Sequence, residues 1–511
     1  MTEQVLDPGR RMLVTIAVML AVLIQVLDTT IANVALPHMQ ASLGATQESV
    51  NWVLTSYIVA SAIAIPISGW LADKIGRKRL LVLAVIGFTI ASLLCSIATS
   101  LTERVIFRAI QGVTGAFLVP LAQATLFDIN PPERHARAMA LFGGGIMIGP
   151  IMGPVLGGWL TDSFNWRWVF LVNLPVGAIA TVMLLRYMPK GPLTKRKFDI
   201  FGFALLAVAL GSLQLMLDRG QQLDWFASWE IWFELGLCIG AAWMFVTHTI
   251  LDRDPIFERG MFADRNFALG MFFMVVTGLL LLAGLALLPP LLQRLYGYSV
   301  LQSGLLTMPR GIGTLISMVL AGRLIGVVDL RLLVAVGMAL MAWSLHIMSG
   351  FAIAMGPQPI IVSGVIQGLG LGLMFVTIQS LAFDTLIPRL RTHASSLLNL
   401  SRNIGGSIGI SVVAALLARN LQVAHADMAG KITDQQLPSL TGTIVSQLGL
   451  PAQAAIALAD AEINRQAAFI AYIDDFYLMM WVTLASIPLV LLLRTAKKQE
   501  PGELHDAVAI D

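Results

Sequence analysis

Asp28 stands inside an apolar run, in Gln25-Val26-Leu27-Asp28-Thr29-Thr30-Ile31-Ala32-Asn33. An ionised carboxylate surrounded by hydrocarbon costs from about 2.5 to over 10 kcal/mol, so this acid must serve a purpose that offsets the cost. Its chemistry is the binding of a proton or of a cationic substrate; the alternative is a structural partner for an Asn or Arg. In a helix, positions 25, 28 and 29 fall on adjoining faces, and Thr29 and Asn33 lie one turn apart. At about 1.5 Å per residue, Asp28 lies roughly 13 Å along the helix from Pro37. Arg108 is the cation to pair with it, near the end of another apolar run at a similar depth. A permanent cation favours the charged form of an acid and burial disfavours it, so small movements would switch the acid between holding and releasing a proton. The other reading of Arg108 is an arginine that bonds neighbouring carbonyls and fixes helix packing.

Other residues extend this chemistry. Arg310, beside Pro309 and Gly311, and Arg402, in Ser401-Arg402-Asn403, put two more cations at membrane depth, facing a watery cavity or snorkelling to its edge. With Gln25, Thr29, Asn33, Gln111 and Gln367 they are the candidate lining of a substrate cavity. Gly145, Gly149, Gly153 and Gly157 repeat at four-residue spacing with Pro150, Pro154 and Gly158 interleaved. Such a stripe admits a second backbone at close range and its prolines bend the helix, which suits a pivot or seal between two halves. Gly69 to Arg79 forms a tight basic turn in which Asp73 and Gly76 precede Arg77, and Asp73, Arg77 and Asp128 form a candidate gate at one membrane face. His248 and His346 stand alone in apolar runs and read as packing residues; Cys95 and Cys238 do likewise, so neither a disulfide framework nor a metal site is expected. No G-x-x-x-x-G-K-[ST] phosphate loop, H-E-x-x-H zinc motif or G-x-S-x-G nucleophile turn is present. No cofactor is expected, no nucleic-acid partner and no enzyme activity. Work must then draw on a gradient: a proton crossing about 150 mV yields roughly 3.5 kcal/mol.

The elements that hold these side chains live in a membrane. Hydrophobic residues make up 57% of the 511 and charged residues 12%, against about a quarter charged in a soluble domain. A span needs about 20 mainly apolar residues, and such runs fall near 12–36, 50–71, 80–98, 104–127, 138–160, 168–188, 199–217, 229–250, 267–291, 302–321, 331–350, 358–380, 394–417 and 474–494. Of the 33 Lys and Arg, 23 then lie on one face and 7 on the other, with Arg108, Arg310 and Arg402 in between. The positive-inside bias predicts fourteen spans with both termini cytoplasmic. The first run follows a short polar leader, is too long for a signal core and is read as a retained anchor.

Two segments say the same thing twice. Ile110-Gln111-Gly112, Gln123, Phe127-Asp128, Pro132, Ile148-Gly149 and Gly153 recur 256 positions later as Ile366-Gln367-Gly368, Gln379, Phe383-Asp384, Pro388, Ile404-Gly405 and Gly409. A parallel repeat of membrane helices implies two halves that rock about a central site, hence a transporter. The fourth span repeats as the twelfth, so two helices are inserted between the halves. The expected organisation is a six-helix bundle over 1–190, two inserted helices with linkers over 191–265, and a second six-helix bundle over 266–511. A long polar loop at 418–473 lies outside, with a short surface helix over its Ala-rich part, 451–470. Asp28 is matched by an apolar residue, Leu281 or a neighbour.

With these residues in view, the chain resembles the fourteen-span drug:proton antiporters of the major facilitator superfamily, and among them the EmrB-type exporters. The resemblance rests on Leu27 to Pro37, Gly69 to Arg79, Arg108 to Gly112, the glycine stripe, Trp166-Arg167-Trp168 to Pro175, and Gly211 to Gln214 with Leu217 to Gly220 and Leu223 to Phe226. It implies an all-α major facilitator fold. It also implies proton coupling through Asp28 and Arg108, the antiporter motif for Gly145 to Gly158, and gating for Gly69 to Arg79. The cargo would be hydrophobic drugs, uncouplers or fatty acids exported across the bacterial inner membrane in exchange for protons. A periplasmic adaptor of the EmrA type and an outer-membrane channel of the TolC type would complete a tripartite pump. A single-component exporter or a facilitator-type importer would share most of these motifs. The second gating loop keeps Gly322 but has Gly326 where an acid is expected, which puts a symmetric gate in doubt.

Overall fold

The computed structural model describes residues 7–131, 134–190, 193, 197–252, 254–384, 386, 388–431 and 451–494. Thirteen of its helices are long and apolar enough to cross a membrane, and His135–Ser163, 29 residues long, stands at the remaining expected position. In chain order these are α1 (Pro8–Leu43), α2 (Gln47–Ala64, continued by a 3-10 turn into Ser68–Ile75), α3 (Arg77–Ile97) and α4 (Leu101–Gly115 with Leu118–Ile129). There follow α5 (His135–Ser163), α6 (Trp168–Leu171 with Asn173–Tyr187), α7 (Ile200–Arg219) and α8 (Trp229–Leu251). The second half holds α9 (Arg265–Pro290, ending in a π turn), α10 (Val300–Leu324), α11 (Leu330–Ser349), α12 (Gln358–Asp384), α13 (Arg391–Ala429) and α14 (Ala452–Ser486).

The helix ends follow ordinary capping chemistry. Asp7 precedes Pro8 and accepts from Gly9 N. Ser100 with Glu103 and Ser299 with Gln302 form capping boxes at α4 and α10. The two basic turns are each made through a left-handed glycine, Gly76 (φ 90°) and Gly326 (φ 94°), where a side chain would be strained. Gly326 therefore shapes the second turn, and the acid near it, Asp329, caps α11 by accepting from Arg331 N at 2.8 Å.

The sequence repeat is also a repeat of contacts. Gly112 of α4 lies against the Tyr57 carbonyl of α2, and Gly368 of α12 lies against the Arg310 carbonyl of α10. Gly149 and Gly153 of α5 lie against Val26 and Thr30 of α1; Gly405 and Gly409 of α13 lie against Val275 and Leu279 of α9. Glycine recurs because the neighbouring chain leaves no room for a β-carbon.

This corrects the expected role of the glycine stripe. Gly145, Gly149 and Gly153 meet Met19, Val26 and Thr30, all on α1, so they close α5 against its own half rather than sealing the two halves. Thr30 Oγ1 also donates to the Gly149 carbonyl at 3.2 Å. Gly158 meets nothing within 4 Å, the Gly157 carbonyl accepts from Thr161, and the side chains of Pro150 and Pro154 lie outside the described residues. A different side of α5 meets the second half, through Gly143 and Gly144 against Met318 and Leu315 of α10. Four-residue spacing shows that a close neighbour exists but not which helix it is.

The inserted helices are placed unequally. Helix α7 lies between α2 and α13 and touches both: Thr55 of α2 donates to Asp218, while Ser407 of α13 donates to Gln214 Oε1 at 2.9 Å and Ser411 to the Leu217 carbonyl at 2.6 Å. Helix α8 packs on α7 and exposes Trp229, Trp232, Phe233 and Trp243, as suits a surface against lipid. The expected loop at 418–473 is shorter. Helix α13 runs to Ala429, and 452–470 is no separate surface helix but the first turns of α14; residues 432–450 lie outside the described residues. The Ala-rich segment has the same helical period as the span that follows, and nothing in it ends a helix.

Gly112→Leu and Gly368→Leu should each lower stability by about 1–3 kcal/mol or more through overpacking, whereas Gly236→Leu on α8, which meets nothing within 4 Å, should not. Thermal melts of the detergent-purified variants would show it, and equal melting points for all three would refute the repeated close approach.

Candidate functional site

Five helices of the first half converge on Asp28, which is fully buried. Arg108 of α4 donates from Nη1 to Asp28 Oδ2 at 2.5 Å. Gln111, one turn on, donates to Oδ1 at 2.9 Å, and so does Asn173 of α6 at 2.9 Å. Behind them, Arg108 Nε donates to the Val53 carbonyl of α2 at 3.1 Å, and its guanidinium lies 4.3 Å from the centre of the Tyr57 ring. Asn173 also donates to Ser92 Oγ of α3 at 3.0 Å. Each side chain points inward because the capping box at Ser100 and the Gly112 approach fix the position of α4, and the glycines of α5 fix that of α1.

Every partner of the carboxylate is a donor. That is the set an ionised carboxylate requires, since a protonated one would bring an O–H in need of an acceptor. Burying two opposite charges is costly, and the attraction offsets it only when the remaining lone pairs are bonded. Here they are. The arrangement can hold a negative charge out of water, and it is undone if a proton takes the place of the guanidinium.

Gln111 was expected to face the cavity; it is instead fully buried in this cluster, its Oε1 accepting from Arg108 at 2.9 Å. The stripe on α1 behaves differently: Gln25 and Thr29 are half-buried and Asn33 is exposed. In the second half Arg310 and Gln367 are buried, and Arg402 is half-buried, 5.9 Å from the Phe375 ring centre. Arg310 Nη2 reaches the carbonyl of Leu281 of α9 at 3.4 Å, while the glycine contacts place the buried Thr277 opposite Asp28.

The two halves meet at the basic end. Arg77 and Arg391 both pair with Asp128, the latter at 3.5 Å. Asp73 makes no ion pair with Asp128's partners, but its charge acts favourably on Arg77, and its Oδ2 lies 3.2 Å from His393 Nε2 on α13. Gly69 lies against the same imidazole, and Gly76 shapes the turn that follows. Ser68 and Ser396 touch through their hydroxyls. Gln123 Oε1 accepts from Ser395 at 2.5 Å and from Asn399 at 3.0 Å, and the rings of Phe127 and Phe383 are 4.4 Å apart. The basic end is closed, while the stripe on α1 grows more exposed in the opposite direction.

Several partners escaped the sequence reading. Asn173 and His393 are ordinary polar residues whose roles come from other helices. His248 is no lone packing residue: its Nε2 lies 2.9 Å from Asp199 and 3.2 Å from Asp252. The ligand atoms of these three lie within 4.8 Å of one another. Asp199 is already engaged, capping α7 through Gly202 N and accepting from Ile256 N at 3.3 Å, so the cluster ties α7 to α8. Asp475 of α14 is fully buried with neither oxygen bonded; reading the last span from 474 had put it at a boundary.

Asn173→Ala removes one charge-assisted bond to Asp28 and should destabilise the protein by about 1.5–3 kcal/mol, read as a lower melting temperature; an unchanged melt would mean that Asp28 does not depend on it. Ser68→Cys with Ser396→Cys should form a disulfide under oxidant and stop transport until reduced. Full transport by the oxidised pair would show that this contact never opens.

The comparisons agree with this architecture. The Major Facilitator Superfamily profile matches residues 18–410. Multidrug export protein EmrB of Escherichia coli (strain K12) is 35% identical over 440 residues, covering 84% of this chain and 85% of that protein. Fatty acid resistance protein FarB of Neisseria gonorrhoeae is 33% identical over 486 residues, covering 94% and 95%. Multidrug resistance protein B homolog of Mycobacterium tuberculosis (strain ATCC 25618 / H37Rv) is 34% identical over 421 residues, covering 81% and 77%. The crystal structure of the human organic anion transporter MFSD10 superposes with a TM-score of 0.60 at 16% identity, covering 94% of this chain and 100% of that one, which speaks to the fold alone. A multi-pass helical membrane protein with this repeat, this profile match and these relatives belongs to the major facilitator superfamily, alongside the EmrB-type multidrug exporters.

Proposed function

We propose that the protein is a proton-coupled antiporter that exports hydrophobic compounds across the bacterial inner membrane. The observation that carries this reading is the buried Asp28–Arg108 pair, whose partners are all donors to an ionised carboxylate. Asp28 shares α1 with Gln25, Thr29 and Asn33, so a change in its charge acts on the helix that carries the polar stripe. With the basic end closed, Asp28 is ionised and paired. A proton entering from the opposite side neutralises it and weakens its hold on Arg108. Helix α1 is then freed from α4 and α6, and the halves can rock to part Asp73 from His393 and Asp128 from Arg391. At the other face the proton leaves and the pair re-forms. Under alternating access, cargo and proton therefore move in opposite directions.

The basic end is read as cytoplasmic, with both termini there, from the 23 to 7 distribution of Lys and Arg. Relatives named for multidrug export and fatty acid resistance support drugs or fatty acids as cargo, with uncouplers proposed beside them. An adaptor of the EmrA type and a channel of the TolC type are the proposed partners; copurification with the adaptor separates a tripartite pump from a single-component exporter.

In proteoliposomes, Asp28→Asn should abolish efflux driven by a pH gradient while substrate binding persists. Unchanged gradient-driven efflux would remove Asp28 from the mechanism.

A further inference from the structure

At the basic end of the first half, α1, the end of α4 and the start of α5 border a cavity of about 290 Å³. Its wall holds three arginines, Arg11 from the first turn of α1 and Arg134 and Arg137 from the start of α5. No acid lines it, and among the described residues no hydrogen bond or ion pair engages any of the three guanidinium groups. The carboxylates at this end are occupied elsewhere: Asp128 pairs with Arg77 and Arg391, and Asp7 accepts from Gly9 N. Three like charges facing one space repel one another unless an anion sits among them. Helix α5 adds to the same field. It is 29 residues long, its N-cap Arg134 makes no side-chain capping bond and its first turn carries no acid, so the positive end of its dipole favours an anion at that place.

The surroundings of the cavity select the kind of anion. Arg11 and Arg137 stand where the apolar spans of α1 and α5 begin. Met12, next to Arg11, and Leu141, one turn on from Arg137, both line the cavity and are 61% and 56% exposed. A soluble anion gains nothing from such neighbours, whereas a lipid sets its phosphate among the arginines and its chains against the apolar side chains. Basic pockets between helices at the cytoplasmic side suit anionic headgroups in this way. The volume lies at the small end of the roughly 300–1,000 Å³ of ligand sites, a space for a headgroup.

We propose that Arg11, Arg134 and Arg137 bind the phosphate of an anionic glycerophospholipid from the leaflet at the basic end, with its acyl chains along Met12 and Leu141. The paired N–H groups of a guanidinium match phosphate oxygens. Because Arg11 belongs to the helix that carries Asp28 and the other two to α5, one headgroup bridges both helices. The proposal is independent of the cargo and of proton coupling.

Lipid binding to the purified full chain in detergent, followed by native mass spectrometry, tests it with dioleoylphosphatidylglycerol, dioleoylphosphatidylcholine and glycerophosphate. Phosphatidylglycerol should bind tightest, because phosphatidylcholine carries its own cation and glycerophosphate lacks the chains. Arg134→Gln combined with Arg137→Gln should weaken phosphatidylglycerol by about tenfold or more; both side chains are exposed, so this variant should fold. Arg11→Gln, on the other helix, should weaken it as well and keeps the test decisive if the double variant does not fold. Arg186→Gln combined with Arg265→Gln removes two exposed cations outside the cavity and should leave the affinity unchanged. Unchanged affinity in the cavity variants, an equal loss in the control variant, or phosphatidylcholine bound as tightly as phosphatidylglycerol overturns the proposal. Glycerophosphate bound as tightly as the lipid would make the ligand a soluble phosphate ester and overturns it too.

Discussion

The structure depends on one electrostatic constraint: a carboxylate out of reach of water must have its charge answered and both oxygens bonded. Asp28 meets it with Arg108 and Gln111 of α4 and Asn173 of α6, with Val53, Tyr57 and Ser92 of α2 and α3 behind them. The first half is therefore organised around a charge. Because the same residues that pack the helices also balance the acid, neutralising the acid alters the packing. That link between protonation and geometry is the physical content of the proposed coupling.

The two halves share a scaffold and differ in chemistry. Their glycines make the same approaches between equivalent helices, so backbone packing follows the repeat. The acid does not. One half closes around its own carboxylate, whereas in the other the buried Arg310 reaches only the Leu281 carbonyl, at 3.4 Å. The inserted helix α7 breaks the repeat in another way. Bonded to α2 through Asp218 and to α13 through Gln214 and Leu217, it bridges the halves on the side where α2 and α13 meet directly only near the basic end. Any rocking must stretch or slide these contacts.

Much was legible in sequence where a rule acts on every residue of a segment. The spans follow from the thickness of the bilayer, the repeat from matched residues, and Asp28 from the cost of a charge among apolar neighbours. What escaped depends on neighbours distant in the chain. Asn173 is one amide among many until α6 brings it to Asp28. His393 meets Asp73 only because Gly69 lets α2 approach it. The stripe of Gly145, Gly149 and Gly153 announced a close contact without naming α1, and the Ala-rich segment before α14 gave no sign that it would continue the last span and leave Asp475 buried in mid-helix.

The sequence by itself determined the solvent, the number and order of the helices, the internal repeat and the acid and base of the buried pair, because each leaves a local or periodic mark along the chain. Only the tertiary structure decided which donors enclose Asp28, which face of α5 meets which half, that the basic end is closed, and that no acid among the described residues pairs with Arg310. Those are relations between helices, and a helix's sequence records that it has a buried face but not what is pressed against it.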